Sequence, residues 1–550
     1  MSAHPDTSSA PILTLDRVSV RLPKSGDRDF AIEDVSFSVG RGEIVCVVGE
    51  SGSGKSVTAQ AIMGLLPKGQ LTLTGGSISL EGEEVTTLAP AALRARRGQR
   101  MSMIFQEPMT ALNPVERVGT QIGEVLEIHT RLSPAERRQK VMEVMEAVHL
   151  PDVPHLVDAF PHQLSGGQRQ RVMIAAALVL DPVLLIADEP TTALDVTTQA
   201  QILKLIAEMQ ARRGTGVLFI THDFGVVAEI AHRVVVMRGG RVVEQGTRDE
   251  ILFAPREDYT KMLISSVPSL TPPAREAISS PVALSTRELS KTYRSAGFLF
   301  GGGRTVHAAQ NVTIDVRRGE TVGIVGESGS GKTTVARCIA RLIEPTAGTI
   351  KIGDTDIATL PERQLRPHRK AVQIVFQDPN RSLNPRRTVG ASIVEGPENF
   401  GEPHDKAMAR ARDLMQLVGL SPDALDRYPH QFSGGQRQRI AIARALAMEP
   451  TILIADEAVS ALDVSVQAQV LRLLDDVRQR FDLAVLFITH DLRVAAQICD
   501  RIAVMQNGVV VEAGTTAEIF ANPQHAYTHA LFAAAPGRDV RFGSGIAAAV

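Results

Sequence analysis

The chain has 550 residues, of which 44% are hydrophobic and 22% are charged. Because one domain usually has about 100 to 200 residues, this length predicts several domains, and the composition excludes a mainly disordered, collagen-like or disulfide-scaffold protein. Lysine and arginine total 59 against 61 for aspartate and glutamate, so the net charge of −2 gives no global attraction to nucleic acid or anionic lipid.

The apolar segments do not predict a membrane span. The longest, Val172 to Ala187, is interrupted by Asp181 and Pro182 and is shorter than the ~20 residues that a spanning helix needs. The first residues lack the basic and apolar regions of a secretory signal, so we expect a cytoplasmic chain. The cysteines are far apart, which disfavours zinc, iron–sulfur and disulfide sites and predicts small buried side chains. They are Cys46, Cys338 and Cys499.

An internal repeat defines the domain organisation. The segment PHQLSGGQRQRVMIAAALVLDPVLLIADE starts at Pro161, and PHQFSGGQRQRIAIARALAMEPTILIADE starts at Pro429. The sequence therefore predicts two copies of one domain, residues 11–265 and 282–536. Residues 266–281 are rich in proline and serine, which favours an extended linker, and the residues after Pro536 are expected to fray.

A glycine-rich loop follows the first predicted buried strand of each copy and precedes a predicted helix. The motifs GESGSGKS and GESGSGKT match the phosphate-binding loop, whose backbone N–H groups surround phosphates at a helix N-terminus. A flexible glycine-serine turn is the alternative, but two matches in a strand-loop-helix context disfavour it. The predicted phosphate-binding residues are Gly49, Ser51, Gly52, Gly54, Lys55 and Ser56, and Gly326, Ser328, Gly329, Gly331, Lys332 and Thr333. We expect the lysines to pair with phosphate and the hydroxyl residues after them to bind Mg²⁺.

A helical insert is predicted between the phosphate loop and the second motif cluster. Ser133, Pro134 and Glu136 provide an N-cap, a first-turn proline and a capping-box glutamate before an apolar periodicity. The second copy repeats this pattern more weakly from Met408. Each copy is therefore predicted to be an α/β core interrupted by helices.

A Ser-Gly-Gly-Gln segment opens a predicted helix in each copy, at Ser165 and at Ser433. Its hydroxyl and its glycine N–H groups make a helix N-terminus suited to an anion. Each segment lies far along the chain from its own phosphate loop, so the residues alone leave two interpretations open: phosphate contact, or a glycine turn with a serine cap.

An Asp-Glu pair ends a later buried strand of each copy, Asp188-Glu189 and Asp456-Glu457. Such an aspartate can hold Mg²⁺ through water, and the glutamate can accept a proton from an attacking water. Alone, the pair is typical of a solvated strand end. Beside a phosphate loop in both copies, it predicts catalysis.

A histidine follows the next apolar run in the segment VLFITHD of each copy, at His222 and His490. A lone histidine at a strand end is usually structural or exposed. Its recurrence after both Asp-Glu pairs predicts that it orients the attacking water near the γ-phosphate.

Together these motifs resemble the ATP-binding-cassette (ABC) ATPases over nearly the whole chain. The resemblance implies two tandem phosphate-loop NTPase domains with helical subdomains, ATP and Mg²⁺ as ligands, and an intrachain head-to-tail pseudo-dimer. In that family the signature LSGGQ completes the ATP site of the opposite cassette. Carried over, one site comprises Lys55, Ser56, Gln106, Asp188, Glu189 and His222 with Ser433 and Gly435, and the other Lys332, Thr333, Gln377, Asp456, Glu457 and His490 with Ser165 and Gly167. The implied metal ligands are Ser56, Gln106, Asp188, Thr333, Gln377 and Asp456.

The segments FQEPMTALNP and FQDPNRSLNP and the tails at Tyr259 and Tyr527 look like the dipeptide, oligopeptide and nickel importer group. The tails read REDYT and QHAYT where the group tends towards HPYT, and Phe432 replaces the signature leucine. The cysteine cluster of some members' tails is absent, so no iron–sulfur centre is expected. The resemblance implies an importer ATPase at the cytoplasmic face of the inner membrane, with two permease subunits, an extracytoplasmic binding protein and no nucleic acid.

One departure concerns the adenine-stacking aromatic of the family, which aligns with Tyr293 in the second copy but with Leu22 in the first. Either Phe30 substitutes for it or the first site binds ATP more weakly. Because base stacking contributes about 1 to 3 kcal/mol, we hypothesise that the first site is the weaker one.

Peptides are the expected solute, and opines, oligosaccharides and nickel stay open. The main alternative is a soluble tandem cassette acting on ribosomes or nucleic acid, which predicts a charged helical linker, a basic patch or zinc cysteines. The proline-serine linker, the balanced charge and the scattered cysteines disfavour it. A catalytically inactive scaffold conflicts with the two intact Asp-Glu pairs.

Overall fold

The computed structural model describes residues 10–23, 28–191, 194–294, 305–460, 462–540 and 542. The chain forms two compact units. The first contains the residues up to Leu194, Thr198–Val267 and the segment from Pro536, and the second contains Asp195–Thr197 and Pro268–Ala535. The boundaries 11–265, 266–281 and 282–536 stay a prediction.

The first unit has two β-sheets. A six-stranded sheet has the order β10-β9-β3-β8-β7-β6 and is parallel except for the β9–β10 pair. A four-stranded antiparallel sheet has the order β2-β1-β4-β5. The strands are β1 (Leu13–Arg21), β2 (Phe30–Val39), β3 (Ile44–Val48), β4 (Thr72–Leu80), β5 (Glu83–Glu84), β6 (Met101–Ile104), β7 (Leu184–Asp188), β8 (Gly216–Ile220), β9 (Arg233–Arg238) and β10 (Arg241–Thr247).

The helices of the first copy include the predicted insert. They are α1 (Lys55–Met63), α2 (Pro90–Arg96), α3 (Pro108–Ala111), α4 (Val118–His129), α5 (Pro134–Ala147), α6 (Val153–Leu156), α7 (Gly166–Leu178), α8 (Val196–Arg213), α9 (Phe224–Ile230), α10 (Arg248–Phe253) and α11 (Asp258–Ser265). The capping box before α5 is confirmed, because Ser133 and Glu136 exchange side-chain and backbone hydrogen bonds. Helix α5 packs on α4 and α7, so the helical insert is confirmed as well.

The central strand β3 is buried on both of its faces. Ile44, Cys46 and Val48 face a core shared with the helices, whereas Val45 and Val47 face the core under the antiparallel sheet. Because successive side chains of a strand alternate between faces, a strand that is covered on both sides is apolar throughout. The continuous apolar runs in the sequence are explained by this layering.

The second unit repeats the architecture. Its strands are β11 (Val282–Arg294), β12 (Thr305–Arg317), β13 (Thr321–Val325), β14 (Ala347–Ile352), β15 (Thr355–Asp356), β16 (Val372–Val375), β17 (Ile452–Asp456), β18 (Ala484–Thr489), β19 (Arg501–Gln506) and β20 (Val509–Thr515). Its sheets have the orders β16-β17-β18-β13-β19-β20 and β12-β11-β14-β15, which match those of the first unit. The predicted fold class, a duplicated α/β domain with a helical insert, is confirmed.

The helices of the second copy follow the same order, except that a 3₁₀ helix, Pro422–Asp426, stands where the first copy has α6. They are α12 (Lys332–Ile339), α13 (Glu362–Leu365), α14 (Pro379–Ser382), α15 (Val389–Asn399), α16 (His404–Leu417), α17 (Gly434–Leu446), α18 (Val464–Phe481), α19 (Leu492–Ile498), α20 (Thr516–Ala521) and α21 (Ala526–Ala533). Helix α16 begins after Pro403 and has no side-chain cap, which agrees with its weaker sequence signal.

The proline-rich segment, residues 268–281, forms neither helix nor strand but is bound to the second unit. The guanidinium of Arg275 lies 3.0 Å from Asp500 Oδ1 and also bonds the carbonyl of Gln497. The side-chain amide of Gln497 donates to the carbonyl of Ser269 at 2.9 Å. The segment is therefore an extended connector that is fixed along the surface of one unit.

Two further expectations can be compared with the structure. The prediction of a frayed end after Pro536 is wrong for the described residues, because Val540 and Phe542 pack against the core of the first unit. All three cysteines are free and buried, as predicted. None of the helices in the described part of the chain is both long and apolar enough to cross a membrane.

Candidate functional site

The phosphate loop of the first unit joins β3 to α1 and depends on glycine at two positions. Gly49 has a φ of 151° and Gly54 a φ of 104°. A Cβ at Gly49 would lie 2.2 Å from the carbonyl oxygen of Met237, and one at Gly54 would lie 2.5 Å from a side chain of β2. Gly326 and Gly331 have the same conformations in the second unit. Only glycine fits these positions, since any side chain would displace the backbone.

The predicted lysines fold back over their loops. Lys55 Nζ donates to the carbonyl oxygens of Gly49 and Glu50 at 2.6 and 3.0 Å. Lys332 Nζ makes the equivalent bonds in the second unit, both at 2.7 Å, and burial lowers its pKa. Each ammonium group is therefore buried at the loop, where an anion would replace the carbonyl contacts.

Two loop hydroxyls were not singled out by the sequence. Ser53 Oγ and Ser330 Oγ are buried and have no hydrogen-bond partner among the described residues. A buried hydroxyl without a partner is costly, and a phosphate oxygen would satisfy it. These hydroxyls, the lysines and the N-termini of α1 and α12 fit a nucleotide phosphate chain. Their position inside the motif was the available signal.

Two of the three predicted magnesium ligands of each copy, the hydroxyl residue and the aspartate, lie together at the end of a strand, whereas the third, Gln106 or Gln377, contacts the neighbouring glutamate. Ser56 Oγ lies 3.1 Å from Asp188 Oδ1, and Thr333 Oγ1 lies 3.1 Å from Asp456 Oδ1. Burial raises the pKa of Asp188 to about 6 and also raises the pKa of Asp456. Mg²⁺ is commonly held by one or two carboxylates together with substrate phosphates. A buried carboxylate beside a hydroxyl at a phosphate loop fits this ion.

The predicted catalytic glutamates stand in a strained backbone conformation. Glu189 follows β7 with a φ of 48°, and Glu457 follows β17 with a φ of 50°. This left-handed region costs a residue other than glycine about 1 to 3 kcal/mol and often marks functional positions. The N–H of Glu189 donates to the carbonyl of Ile220 at 3.0 Å, which fixes the turn.

In each unit, two side chains contact the same carboxylate oxygen of the glutamate. In the first unit, Glu189 Oε2 lies 3.1 Å from Gln106 Nε2 and 3.4 Å from His222 Nδ1. In the second, Glu457 Oε2 lies 2.9 Å from Gln377 Nε2 and 3.4 Å from His490 Nδ1. The structure thus brings the predicted glutamine, glutamate and histidine together in both copies.

The charge states of Glu457 and His490 in the second unit follow from these contacts. Burial by itself would raise the pKa of Glu457, but the hydrogen bond with His490 and the charges of His490 and Lys332 together outweigh it, so the pKa of Glu457 is lowered. Burial by itself would lower the pKa of His490, but the hydrogen bond and the charge of Glu457, with the charge of Asp491, outweigh burial, so the pKa of His490 is raised. The glutamate is therefore ionised at neutral pH, which is the state that a proton acceptor needs.

The signature segments cap helices α7 and α17. Ser165 Oγ accepts the N–H of Gln168 at 3.3 Å, and Ser433 Oγ accepts the N–H of Gln436 at 3.3 Å. A Cβ at Gly167 would lie 2.8 Å from the side-chain methyl of Thr198, so a larger residue would have to displace that side chain. The serine cap is observed in both copies, and the contact with phosphate stays a prediction.

The adenine-stacking positions differ between the copies. The ring of Tyr293 is 43% exposed near the end of β11, with Lys291 Nζ 5.2 Å from its centroid. Leu22 is partly buried against the core beneath the antiparallel sheet. Phe30 pairs with Arg21 across the β1–β2 ladder, and the guanidinium lies 5.3 Å from its ring centroid. The second unit therefore offers an exposed ring where the first offers a leucine that packs inward.

Comparison with protein families agrees with this geometry. The family profile described as ABC transporter matches residues 32–192 and 309–460, which is more than half of the chain. The chain belongs to the ABC transporter ATPases. A second profile, described as oligopeptide/dipeptide transporter, C-terminal region, matches residues 243–295 and 511–543. The duplicated domain and the resemblance of the tails to the peptide importer group are confirmed.

Relatives match along the whole domain pair. The peptidoglycan transport ATP-binding protein YejF of Agrobacterium fabrum is 46% identical over 537 residues, which cover 96% of this chain and 97% of that protein. The glutathione import ATP-binding protein GsiA of Escherichia coli O157:H7 is 45% identical over 562 residues, covering 96% and 89%. The solved dimer of the cassette MJ0796 with ADP and Pi is 29% identical and covers 43% of this chain and 98% of its own, with a TM-score of 0.39.

This membership establishes the activity of the chain. It is an ABC-type ATPase coupled to transport, and it uses ATP with Mg²⁺. The predicted enzyme class and ligands are confirmed at this level. The roles of individual residues remain proposals.

Proposed function

We propose that the chain is the energy-coupling ATPase of an importer for peptide-like solutes. It would act at the cytoplasmic face of the membrane with two separate permease subunits, which receive solute from an extracytoplasmic binding protein. The two matches to the oligopeptide/dipeptide transporter C-terminal region support this solute class. The relatives named for glutathione import and peptidoglycan transport also favour a transporter over a ribosome or nucleic-acid factor.

Within this proposal, the loop residues bind the nucleotide phosphates and the Asp-Glu pairs carry out hydrolysis. Bound Mg²⁺ supplies positive charge at the phosphates, and Ser56 with Asp188 would hold it in the first copy. Glu189 would accept a proton from the attacking water, and His222 would keep that carboxylate oriented. Lys332, Thr333, Asp456, Glu457 and His490 take these roles in the second copy. Ser165, Gly167, Ser433 and Gly435 are proposed to contact nucleotide phosphate.

The contact of Gln106 with Glu189 supports a coupling between the helical insert and ATP hydrolysis. Gln106 lies just after β6, and the chain continues from it directly into α3 and α4 of the helical insert. The insert exposes apolar side chains, since Val115 is 77% and Ile128 is 66% exposed. A permease segment that contacts this insert would therefore be linked through one short stretch of chain to the catalytic carboxylate.

An uptake experiment tests the proposed solute class. Cells lacking the chain should lose uptake of labelled tripeptide or glutathione, and the wild-type chain should restore it. A chain carrying Glu189→Gln and Glu457→Gln should not restore it, although it is produced at the same level. Loss of nickel uptake alone would contradict the peptide assignment. Unchanged uptake of every solute, with the chain sedimenting with ribosomes, would contradict the importer class.

A further inference from the structure

The C-terminal segment of each copy touches the phosphate loop through a tyrosine. The hydroxyl of Tyr259, in α11, accepts the N–H of Glu50 at 3.3 Å and donates to Glu50 Oε2 at 3.3 Å. The hydroxyl of Tyr527, in α21, accepts the N–H of Glu327 at 3.0 Å. Both tyrosines are buried. The same contact therefore joins the tail to the loop twice in one chain.

In each copy, the tyrosine and the loop lysine contact the same loop residue through different backbone groups. Lys55 Nζ donates to the carbonyl oxygen of Glu50, while Tyr259 accepts the N–H of the same residue. A lysine that turns towards a phosphate has to give up its carbonyl contacts. The tyrosine contact uses the N–H of Glu50 and does not involve the carbonyl that the lysine contacts. It can therefore preserve the shape of the loop during nucleotide binding.

The ring of Tyr259 has a cation contact in addition to its hydrogen bonds. The guanidinium of Arg238, at the end of β9, lies 4.8 Å from the ring centroid of Tyr259. The corresponding strand of the second unit, β19, ends in Gln506, which has no positive charge to place against Tyr527. Burial raises the pKa of Tyr259 and of Tyr527 to about 12, so both hydroxyls keep their protons at neutral pH.

We propose that Tyr259 and Tyr527 are positioning residues, which hold the phosphate loop of their own copy in the shape that accepts nucleotide. The position of each C-terminal segment is thereby coupled to nucleotide affinity in that copy. This inference rests on the proposed phosphate-binding role of the two loops. It gives the two C-terminal segments a part in nucleotide binding.

A crossed set of variants of the full chain tests the inference. Lys332→Ala leaves the first loop intact, and Lys55→Ala leaves the second intact. In the Lys332→Ala background, Tyr259→Phe should weaken MgADP binding about 3- to 10-fold, as expected for one lost hydrogen bond. Tyr527→Phe is the matched control there and should leave binding unchanged. In the Lys55→Ala background, the two tyrosine variants should exchange roles.

The outcomes separate a positioning role from general destabilisation. Equal weakening by both tyrosine variants in one background, or affinities within twofold of the parent for both, would overturn the inference. If the Lys332→Ala and Lys55→Ala chains bind MgADP and only the tyrosine effects are missing, the proposed nucleotide site stands and the inference about the tyrosines fails. If neither parent binds MgADP, the proposed site and this inference both fail.

A spectroscopic measurement gives an independent readout. The chain has four tyrosines and no tryptophan, so incorporation of 3-fluorotyrosine gives four ¹⁹F resonances that single phenylalanine variants assign. In the Lys332→Ala background, saturating MgADP should shift the Tyr259 resonance and leave that of Tyr527 in place. A Tyr259 resonance that does not respond to MgADP would contradict the coupling.

Discussion

Nδ1 of His490 lies 3.4 Å from Oε2 of Glu457. The same two atoms of His222 and Glu189 are also 3.4 Å apart. Because the pKa of Glu457 is lowered, its carboxylate is ionised at neutral pH, which makes the glutamate a candidate for the base. In the proposed site, the histidine would orient that carboxylate.

Replacing both candidate bases should separate binding from turnover. A chain with Glu189→Gln and Glu457→Gln should bind MgATP normally and release phosphate about 10²- to 10⁴-fold more slowly, the usual contribution of a general base. Phosphate release and equilibrium binding measure the two effects. Glu116→Gln, at an exposed position, is the matched control. Hydrolysis at the wild-type rate in the double variant would refute the assignment.

Removing the buried aspartates should reduce the benefit that Mg²⁺ gives to nucleotide binding. In wild type, the affinity for ATP should be higher with Mg²⁺ than with chelator. With Asp188→Asn and Asp456→Asn this difference should shrink by about 10- to 100-fold, the loss typical of a residue that supports a metal site. Binding in chelator serves as the internal control. A full Mg²⁺ effect in the variant would exclude these aspartates as metal-supporting groups.

The two nucleotide sites should differ in affinity. Lys332→Ala, which leaves the first site, should bind ATP more weakly than Lys55→Ala, which leaves the second site with Tyr293. Tyr293→Ala should weaken the second site by about tenfold, since base stacking contributes about 1 to 3 kcal/mol. Leu22→Tyr should strengthen the first. Equal affinities of the two lysine variants would remove the basis for this asymmetry.

Breaking the linker contact should expose residues 268–281 to protease. Asp500→Asn weakens a largely buried ion pair with Arg275 and keeps Arg275 as a trypsin site. Loss of a charged hydrogen bond, worth about 1.5 to 3 kcal/mol, should speed cleavage after Arg275 by about tenfold or more. Asp482→Asn, on an exposed turn of the same unit, is the control. Unchanged cleavage kinetics would show that other contacts hold the segment.

The sequence predicted the parts of the site that short motifs encode. Strand ends that carry Asp188 and Glu189, and the helix start at Lys55, follow from local apolar runs and glycine spacing. The contact of Tyr259 with Glu50 joins residues that are 209 positions apart, so no local pattern contains it. The left-handed backbone of Glu189 was equally hidden, because a residue other than glycine carries no signal for that conformation.

The terminal segment shows the same limit. Its composition predicts fraying, yet Val540 and Phe542 pack against the first unit. Two apolar side chains in a short segment are too few for a periodicity. Only the surface that receives them decides whether they are ordered.

The burial of all three cysteines has a practical consequence. Burial raises the pKa of Cys338 to about 11 and raises the pKa of Cys46 and Cys499 further, so none is a thiolate at neutral pH. A maleimide reagent should therefore leave the folded wild-type chain unlabelled. Ile128→Cys, on the exposed face of α4, would give one reactive handle without removing any native cysteine. A fluorophore there could follow the helical insert through an ATPase cycle.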